Sequence, residues 1–290
     1  MKRSRPKGKL LAIGGNEHSS LEPLDFVQEN NPEFISEEIL KRMIEECRDG
    51  KNSLIGIITT SSSSPMRTAA DFRDVFHELG CHRTEILDIR SKDEANKTQN
   101  LRLLEKLDAV FITGGDQVRI GDYLCNSEFN RMLVEKYMNE DFLIAGTSSG
   151  AMALADYMIS RGSAMEGFYM GEVEISRGLS FIKNVIIDTH FDSRGRFGRL
   201  TQAACKQKAT GVGIGDDTAI LITPEQELHV IGSGIVTIID IKEIIDSNLD
   251  SVPDGVPFRV KNLIVHILSR DDVYKIKDLF PVYKQEEVIV

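Results

Sequence analysis

At 290 residues, the chain suits one large α/β domain or two modest ones, because a single core rarely extends past roughly 250–300 residues. Hydrophobic residues at 41% and charged residues at 28% exclude wholesale disorder, a collagen repeat and a disulfide scaffold. A formal charge of −10 argues against nucleic acid as the main partner, while leaving room for a local basic site.

The first nine residues carry five basic side chains, and only the short apolar run Leu10-Leu11-Ala12-Ile13 follows. A secretory leader needs about 7–15 apolar residues and a membrane span about 20. Neither is expected, which makes a cytoplasmic location the expectation and residues 1–8 a flexible basic N-terminus. Beyond them, short β-branched runs alternate with segments of helical period, the pattern of parallel strands joined by crossover helices. Residues 9–13 read as a strand ending at Gly14-Gly15. Residues 35–47 read as a helix with apolar positions Ile35, Ile39, Leu40, Met43 and Ile44. Residues 53–60 read as a strand buried on both faces. The serines at 61–64 form a loop that caps a helix over 66–79 behind Pro65, stopped by Gly80.

Residues 84–89 are a third strand, 94–107 a helix, and 108–113 a fourth strand running into Gly114-Gly115-Asp116-Gln117. Residues 119–139 are mostly helical. A short strand at 142–145 breaks at Gly146-Thr147-Ser148-Ser149-Gly150, before a segment at 151–157 with helical composition. Residues 185–188 form another strand and 195–208 a helix. Short strands at 212–215, 219–222, 228–231, 235–239 and 261–268 give a more antiparallel C-terminal third. No repeat or linker interrupts the pattern, so one α/β domain spanning 1–290 is expected.

The break after the 142–145 strand fits G-x-S-x-G, in which small flanking residues let a tight strand-to-helix turn lift the central hydroxyl clear of the backbone. Ser148 is the candidate nucleophile, with Ser149 at the variable position. The amides and dipole of the following helix N-terminus can stabilise charge on a carbonyl oxygen. Such a serine needs a base, and His190 sits just past a strand end, where open α/β sheets place their sites. His266 reads as a core or half-buried histidine, and His18, His77, His82 and His229 as surface residues. Asp216 and Asp217, also at a strand end, can each orient the imidazole, and the residue pattern alone leaves both open. The Gly211 to Gly215 run lacks the long helix of a dinucleotide site, and no Walker A pattern occurs. Cys47, Cys81, Cys125 and Cys205 are too widely spaced for a metal site and read as reduced structural thiols.

Arg194-Gly195-Arg196-Phe197-Gly198-Arg199 places three arginines close behind the candidate base in an acidic protein. Guanidinium forks suit carboxylates, and the glycines allow close approach of a ligand. An acidic substrate is therefore expected.

With Gly114-Gly115-Asp116-Gln117, Gly146-Thr147-Ser148-Ser149-Gly150-Ala151, Asp188-Thr189-His190-Phe191 and the arginine run in this order, and the similar opening over residues 8–17, the chain resembles the cyanophycinases over residues 8–239. These are serine peptidases related to aspartyl dipeptidase (peptidase E). The resemblance implies a flavodoxin-like, three-layer α/β fold shared with class I glutamine amidotransferases, with a mostly parallel central sheet. It implies hydrolysis of cyanophycin, a poly-aspartate chain bearing arginine on each side-chain carboxylate, to β-Asp-Arg dipeptides. It places the nucleophile at Ser148, the base at His190 and the orienting acid at Asp216, where the family carries a glutamate. It places the oxyanion-hole amides at Gly115 and Ser149, and substrate contacts at Gln117, Asp188, Thr189, Arg194, Arg196 and Arg199. Thr189 stands where the family commonly has glutamine, and Ser149 where it has alanine. No metal or other cofactor is implied, no nucleic-acid or membrane partner, and a homodimer is. The alternatives are an aspartyl dipeptidase acting on short Asp-X peptides and a binding protein of the same fold that has lost catalysis; the arginine trio favours the polymer.

Overall fold

The computed structural model describes residues 5–19, 23–24, 26–32 and 34–280. Over them the chain runs through β1 (Lys9–Ile13), α1 (Phe26–Asn30), α2 (Glu38–Glu46), β2 (Ile55–Ile58), α3 (Pro65–Glu78), β3 (Thr84–Leu87), α4 (Lys92–Ala95), α5 (Thr98–Lys106), β4 (Ala109–Ile112), α6 (Gln117–Leu124), α7 (Glu128–Asn139) and β5 (Leu143–Thr147). It continues with α8 (Ser149–Met152), β6 (Tyr157–Arg161), β7 (Glu174–Arg177), β8 (Val185–Thr189), α9 (Phe197–Gln207), β9 (Thr210–Ile214), β10 (Thr218–Ile222), β11 (Glu227–Gly232), β12 (Val236–Asp240), β13 (Asp246–Ser247), β14 (Val260–Lys261), β15 (Ile264–Leu268) and β16 (Val273–Lys275).

The central sheet has the order β16-β11-β10-β1-β5-β4-β2-β3. Strands β1, β5, β4, β2 and β3 pair in parallel, whereas β10, β11 and β16 extend the β1 edge antiparallel. Alternation along β1 makes both faces apolar. Leu11 and Ile13 pack with Ile39, Leu40, Met43 and Phe76 of α2 and α3. Leu10 and Ala12 face the other layer, with Leu104, Ile120, Leu133 and Tyr137 of α5, α6 and α7. The fold is thus a mostly parallel sheet between helical layers. A second sheet, β15-β12-β9-β8, is parallel only at β8 and β9, which carries the antiparallel character of the C-terminal part further.

Several expected elements divide. The helix over 94–107 is α4 and α5, and that over 119–139 is α6 and α7, where Ser127 caps α7 by accepting from the Asn130 N–H. The helix expected over 151–157 is only the single turn α8. From Ala153 onward the backbone bonds to residues 178–181 instead: the Leu179 N–H donates to the Ala153 carbonyl, the Phe181 N–H to Leu154 and the Gly178 N–H to Asp156. Tertiary pairing therefore overrides helix propensity there, and Tyr157 opens β6. Pro65 does begin α3, but the Ser64 side chain makes no cap; Ser62 instead accepts from the Ser64 N–H and pairs with the Thr68 hydroxyl. Of the basic N-terminus expected to be flexible, residues 1–4 lie outside the described residues. Lys7 and Gly8 donate to the Met138 and Tyr137 carbonyls, which ties that stretch to α7.

The two sheets meet where β1 ends. The Gly14 N–H donates to the Thr218 carbonyl at 2.8 Å, and the Gly14 carbonyl accepts the His190 N–H at 2.9 Å. A Cβ on Gly14 would stand 1.8 Å from the Gly215 carbonyl oxygen, so the strand exits β1 and β9 touch backbone to backbone. Gly14→Ala is expected to lower stability by at least about 1–3 kcal/mol, because rigid backbone has to move, which the urea midpoint reads directly. An unchanged midpoint would show that the sheets do not depend on this contact.

Candidate active site

Ser148 occupies φ 52°, ψ −118° between β5 and α8. A non-glycine residue held in so sparsely populated a region costs about 1–3 kcal/mol and persists only where its surroundings impose it. Here the Ser148 N–H is anchored to the Ile13 carbonyl at 3.0 Å. Gly146 and Gly150 permit the turn: a Cβ on Gly146 would lie 2.6 Å from the Gly150 carbonyl, and one on Gly150 would lie 2.2 Å from the Ile112 oxygen.

His190 leaves β8 at φ 48° and brings its Nε2 to 3.0 Å from Ser148 Oγ. Its Nδ1 lies 2.5 Å from Asp216 Oδ1. With a carboxylate at Nδ1, that nitrogen carries the proton and donates, which leaves Nε2 to accept the serine proton. The ring rests on Gly15, where a Cβ would come within 2.2 Å of Cε1. Burial alone would raise the Asp216 carboxyl, but hydrogen bonds from His190, Ser193 and Asn16 outweigh it and hold the group below the ordinary aspartate range. It therefore stays ionised at neutral pH. Aspartate, one methylene shorter than glutamate, still reaches the imidazole. Asp217 turns the other way, accepting the His18 N–H at 2.9 Å and the Ser233 hydroxyl at 2.6 Å. Of the two acids left open by the residue pattern, Asp216 is the one beside His190.

The Gly114-Gly115 loop leaves β4 next to the serine, with the Cβ position of Gly114 3.1 Å from Ser148 Cβ. Gly115 lies at φ +146° and is exposed, and its N–H meets no acceptor among the described residues. Ser149 opens α8, so its N–H has no intrahelical acceptor. Because α8 has four residues, charge stabilisation here rests on individual N–H groups and not on the dipole of a long helix.

The arginine run departs from the expectation. Asp188 is fully buried, and both of its oxygens are occupied: Arg199 Nε donates to Oδ2 at 2.7 Å, and Arg199 Nη2 and Arg196 Nη1 to Oδ1 at 2.5 and 3.1 Å. Arg199 also donates to the Gly162 carbonyl at 2.7 Å and is itself buried. Asp188, Thr189 and Arg199 were expected to touch substrate. Instead the chain turns them inward, because a strand buried on both faces cannot leave a carboxylate unpaired. Arg196 is half-buried. Burial pushes its guanidinium down to about 10 against the opposing pull of Asp188. Arg194 is exposed. Arg196 Nη1 also donates to the Thr189 carbonyl at 2.6 Å, which ties its guanidinium to the residue before His190. Gln117, at the start of α6, donates to the Ile159 and Ser160 carbonyls at 2.9 Å each, and its amide oxygen accepts no bond among the described residues.

Sequence reasoning named Gly14-Gly15 only as a strand end and gave no role in the site to Gly14, Gly15, Asn16 or Ser193, although a glycine pair at the C-terminal end of a first strand is itself a signal of close approach. His18, read as a surface residue, is buried against Phe34. The four thiols are unbridged; burial pushes Cys47 up to about 12 and Cys125 and Cys205 up to about 11. Among the described residues no group of three or more His, Cys, Asp or Glu side chains is arranged to hold a metal ion, and no helix is long and apolar enough to cross a membrane.

A serine, an imidazole and a carboxylate in one hydrogen-bonded line at the strand ends of an α/β sheet have the geometry of a serine hydrolase. The model of peptidase family S51 matches residues 29–231, and the chain belongs to that family of serine-type peptidases. It is 35% identical over 219 residues to the cyanophycinase of Trichormus variabilis (strain ATCC 29413 / PCC 7937), covering 75% of this chain and 74% of the relative. It is 32% identical over 241 residues to the cyanophycinase of Geminocystis herdmanii (strain PCC 6308), covering 83% and 88%. The solved structure of a peptidase from an acI-B1 Actinobacterium matches with a TM-score of 0.62 at 18% identity over 94% of this chain and 99% of that one, a likeness of fold.

Arg199→Met leaves Asp188 buried with only Arg196. Removing one partner of a buried pair costs roughly 3–5 kcal/mol, so a loss of that order, less what Arg196 retains, is expected in urea unfolding. Arg194→Met should stay within about 0.5 kcal/mol. Equal losses would mean that the two arginines are not divided between interior and surface.

Asp217 gives a pH prediction of defined sign. Burial raises its carboxyl above the ordinary value, despite hydrogen bonds from Ser233 and the His18 amide. Its ionised form therefore opposes folding, and that opposition fades as the pH falls through the raised folded value and is gone below about 4, the unfolded-state value. Wild type should gain stability relative to Asp217→Asn between about pH 6 and pH 3, while Asp216, present in both proteins, cancels. A difference independent of pH would refute the raised value.

Proposed function

We propose that this peptidase hydrolyses cyanophycin to β-Asp-Arg dipeptides through an acyl-enzyme on Ser148. The observation that carries the reading is the line Ser148 Oγ, His190, Asp216, with separations of 3.0 and 2.5 Å. Ser148 Oγ attacks the scissile carbonyl as its proton passes to His190 Nε2, within the reach a general base requires. The resulting oxyanion is met by the Gly115 and Ser149 amides. Collapse expels the amine, which takes the proton back from His190. A water, deprotonated by the same nitrogen, then releases the aspartyl product and restores the serine. Asp216 remains ionised throughout and stabilises the imidazolium.

Arg194, Arg196 and the Gln117 amide oxygen are the proposed substrate contacts, with Asp188 and Arg199 positioning Arg196 from the interior. The chemistry needs no metal or organic cofactor. The proposal extends to a single catalytic domain acting as a cytoplasmic homodimer, as the family resemblance implies.

A second reading, an aspartyl dipeptidase, is favoured by one observation: Arg199 is spent on Asp188, which leaves fewer carboxylate clamps than the polymer reading counts. Incubating wild type with purified cyanophycin and, separately, with Asp-X dipeptides distinguishes the two. Soluble β-Asp-Arg from the polymer, at a rate above that on the dipeptides, is expected. Cleavage of dipeptides alone would make the second reading the correct one.

A further inference from the structure

The peptide plane that carries the Gly115 N–H is held from behind by a single hydroxyl. Ser61 lies in the loop after β2 and is 1% exposed. Its single hydroxyl proton is shared between the Thr113 carbonyl at 2.7 Å and the Gly114 carbonyl at 2.8 Å. Its own carbonyl accepts the Asp116 N–H at 2.9 Å and stands 2.3 Å from where a Cβ on Gly115 would be. One buried serine therefore engages both sides of the Gly114-Gly115 turn.

A trans peptide is planar, with its C=O and N–H directed to opposite sides. Holding the Gly114 oxygen against Ser61 consequently aims the Gly115 N–H away from Ser61. That N–H has no acceptor among the described residues, and Gly114 itself lies against Ser148. Two adjacent glycines offer little intrinsic resistance to rotation of the plane between them. A flipped plane would present a carbonyl, and not an N–H, to developing negative charge. The loop that carries Ser61 is restrained in turn: Arg90 Nη1 donates to the Ser62 and Thr60 carbonyls at 2.7 and 3.3 Å, and Arg119 Nη1 to the Ser62 carbonyl at 3.2 Å.

We infer that Ser61 is a positioning residue for the oxyanion hole, acting through the Gly114-Gly115 peptide on the rate of acyl transfer and not on substrate affinity. The inference rests on the reading of Ser148 as nucleophile and Gly115 as oxyanion donor.

A fluorophosphonate probe tests it without requiring the natural substrate. Ser148 Oγ forms a bond to phosphorus, the P–F bond breaks, fluoride leaves, the serine proton passes to His190 Nε2, and the phosphoryl oxygen takes the oxyanion position. Second-order labelling constants are measured for wild type, Ser61→Ala, Ser61→Thr, Ser64→Ala and Ser148→Ala, with melting curves establishing that each is folded. Ser61→Ala is expected to label roughly 10- to 100-fold more slowly, less than the 10²–10³ of a donor removed outright. Its kcat on cyanophycin should fall in parallel, with KM within about twofold. Ser61→Thr, which keeps the hydroxyl, should recover most of the rate, and Ser64→Ala, whose side chain makes no cap bond, should match wild type. If Ser61→Ala folds poorly, Ser61→Val against Ser61→Thr compares the same hydroxyl with a methyl of equal size.

An unchanged labelling constant in folded Ser61→Ala, or a reduced labelled fraction at an unchanged constant, would overturn the inference while leaving Ser148 as nucleophile. Failure of wild type to label, or labelling that survives in Ser148→Ala, would instead strike the nucleophile reading and remove the basis for Ser61 with it.

Discussion

The site depends on one close approach, the meeting of the two sheets at Gly14 and Gly15. Backbone stands where side chains would be, so the end of β1 can serve β5, β8 and β10 together. The Ile13 carbonyl anchors the Ser148 amide, the Gly14 carbonyl anchors the His190 amide, and the Gly15 carbonyl anchors the Asp217 amide. Serine and imidazole thus come from different sheets but hang from two consecutive residues of one strand exit. The positive φ of His190 accompanies the placing of its ring over Gly15, and that of Ser148 accompanies the placing of its side chain against Gly114. Strain of this size is sustained only because the surrounding backbone bonds over-determine it.

Electrostatics divide the site in the same way. Around His190 the carboxylate is held ionised by three donors, so the tautomer that leaves Nε2 free to accept is the stable one. Two residues earlier, on β8, Asp188 is buried and paired with Arg199 and Arg196. That ion pair is weak evidence of stability in itself, because desolvation offsets much of the attraction. Its consequence is geometric: the guanidinium of Arg196 is fixed and Arg194 is left outside.

Much of the architecture was legible because it is local. Apolar runs such as Ala109-Val110-Phe111-Ile112 read as buried strands at once, and the flanking glycines of Ser148 betrayed a tight turn. His190 was legible from its place after a strand. What was not legible depended on partners far away in the chain. The short α8 could not be foreseen, since residues 178–181 claim the backbone that would have continued it. The choice between Asp216 and Asp217 lay in the direction of two adjacent side chains, and Asp217 is drawn off by His18 and Ser233. The arginine run looked like a set of substrate clamps because nothing in its spacing discloses that Asp188, on a strand buried on both faces, needs two of the three. Ser61 had appeared only as part of a capping loop, and its contact with the Gly114 carbonyl requires β2 and β4 to lie side by side.

The central claim is that Ser148 is the nucleophile of a hydrolase acting on an aspartate polymer. It is tested most directly by the initial rate of β-Asp-Arg release from purified cyanophycin by equal amounts of folded wild type and Ser148→Ala. The account predicts release by wild type and a fall of at least about 10³-fold in the variant, the scale on which loss of a serine nucleophile acts. Comparable release by both proteins would contradict it.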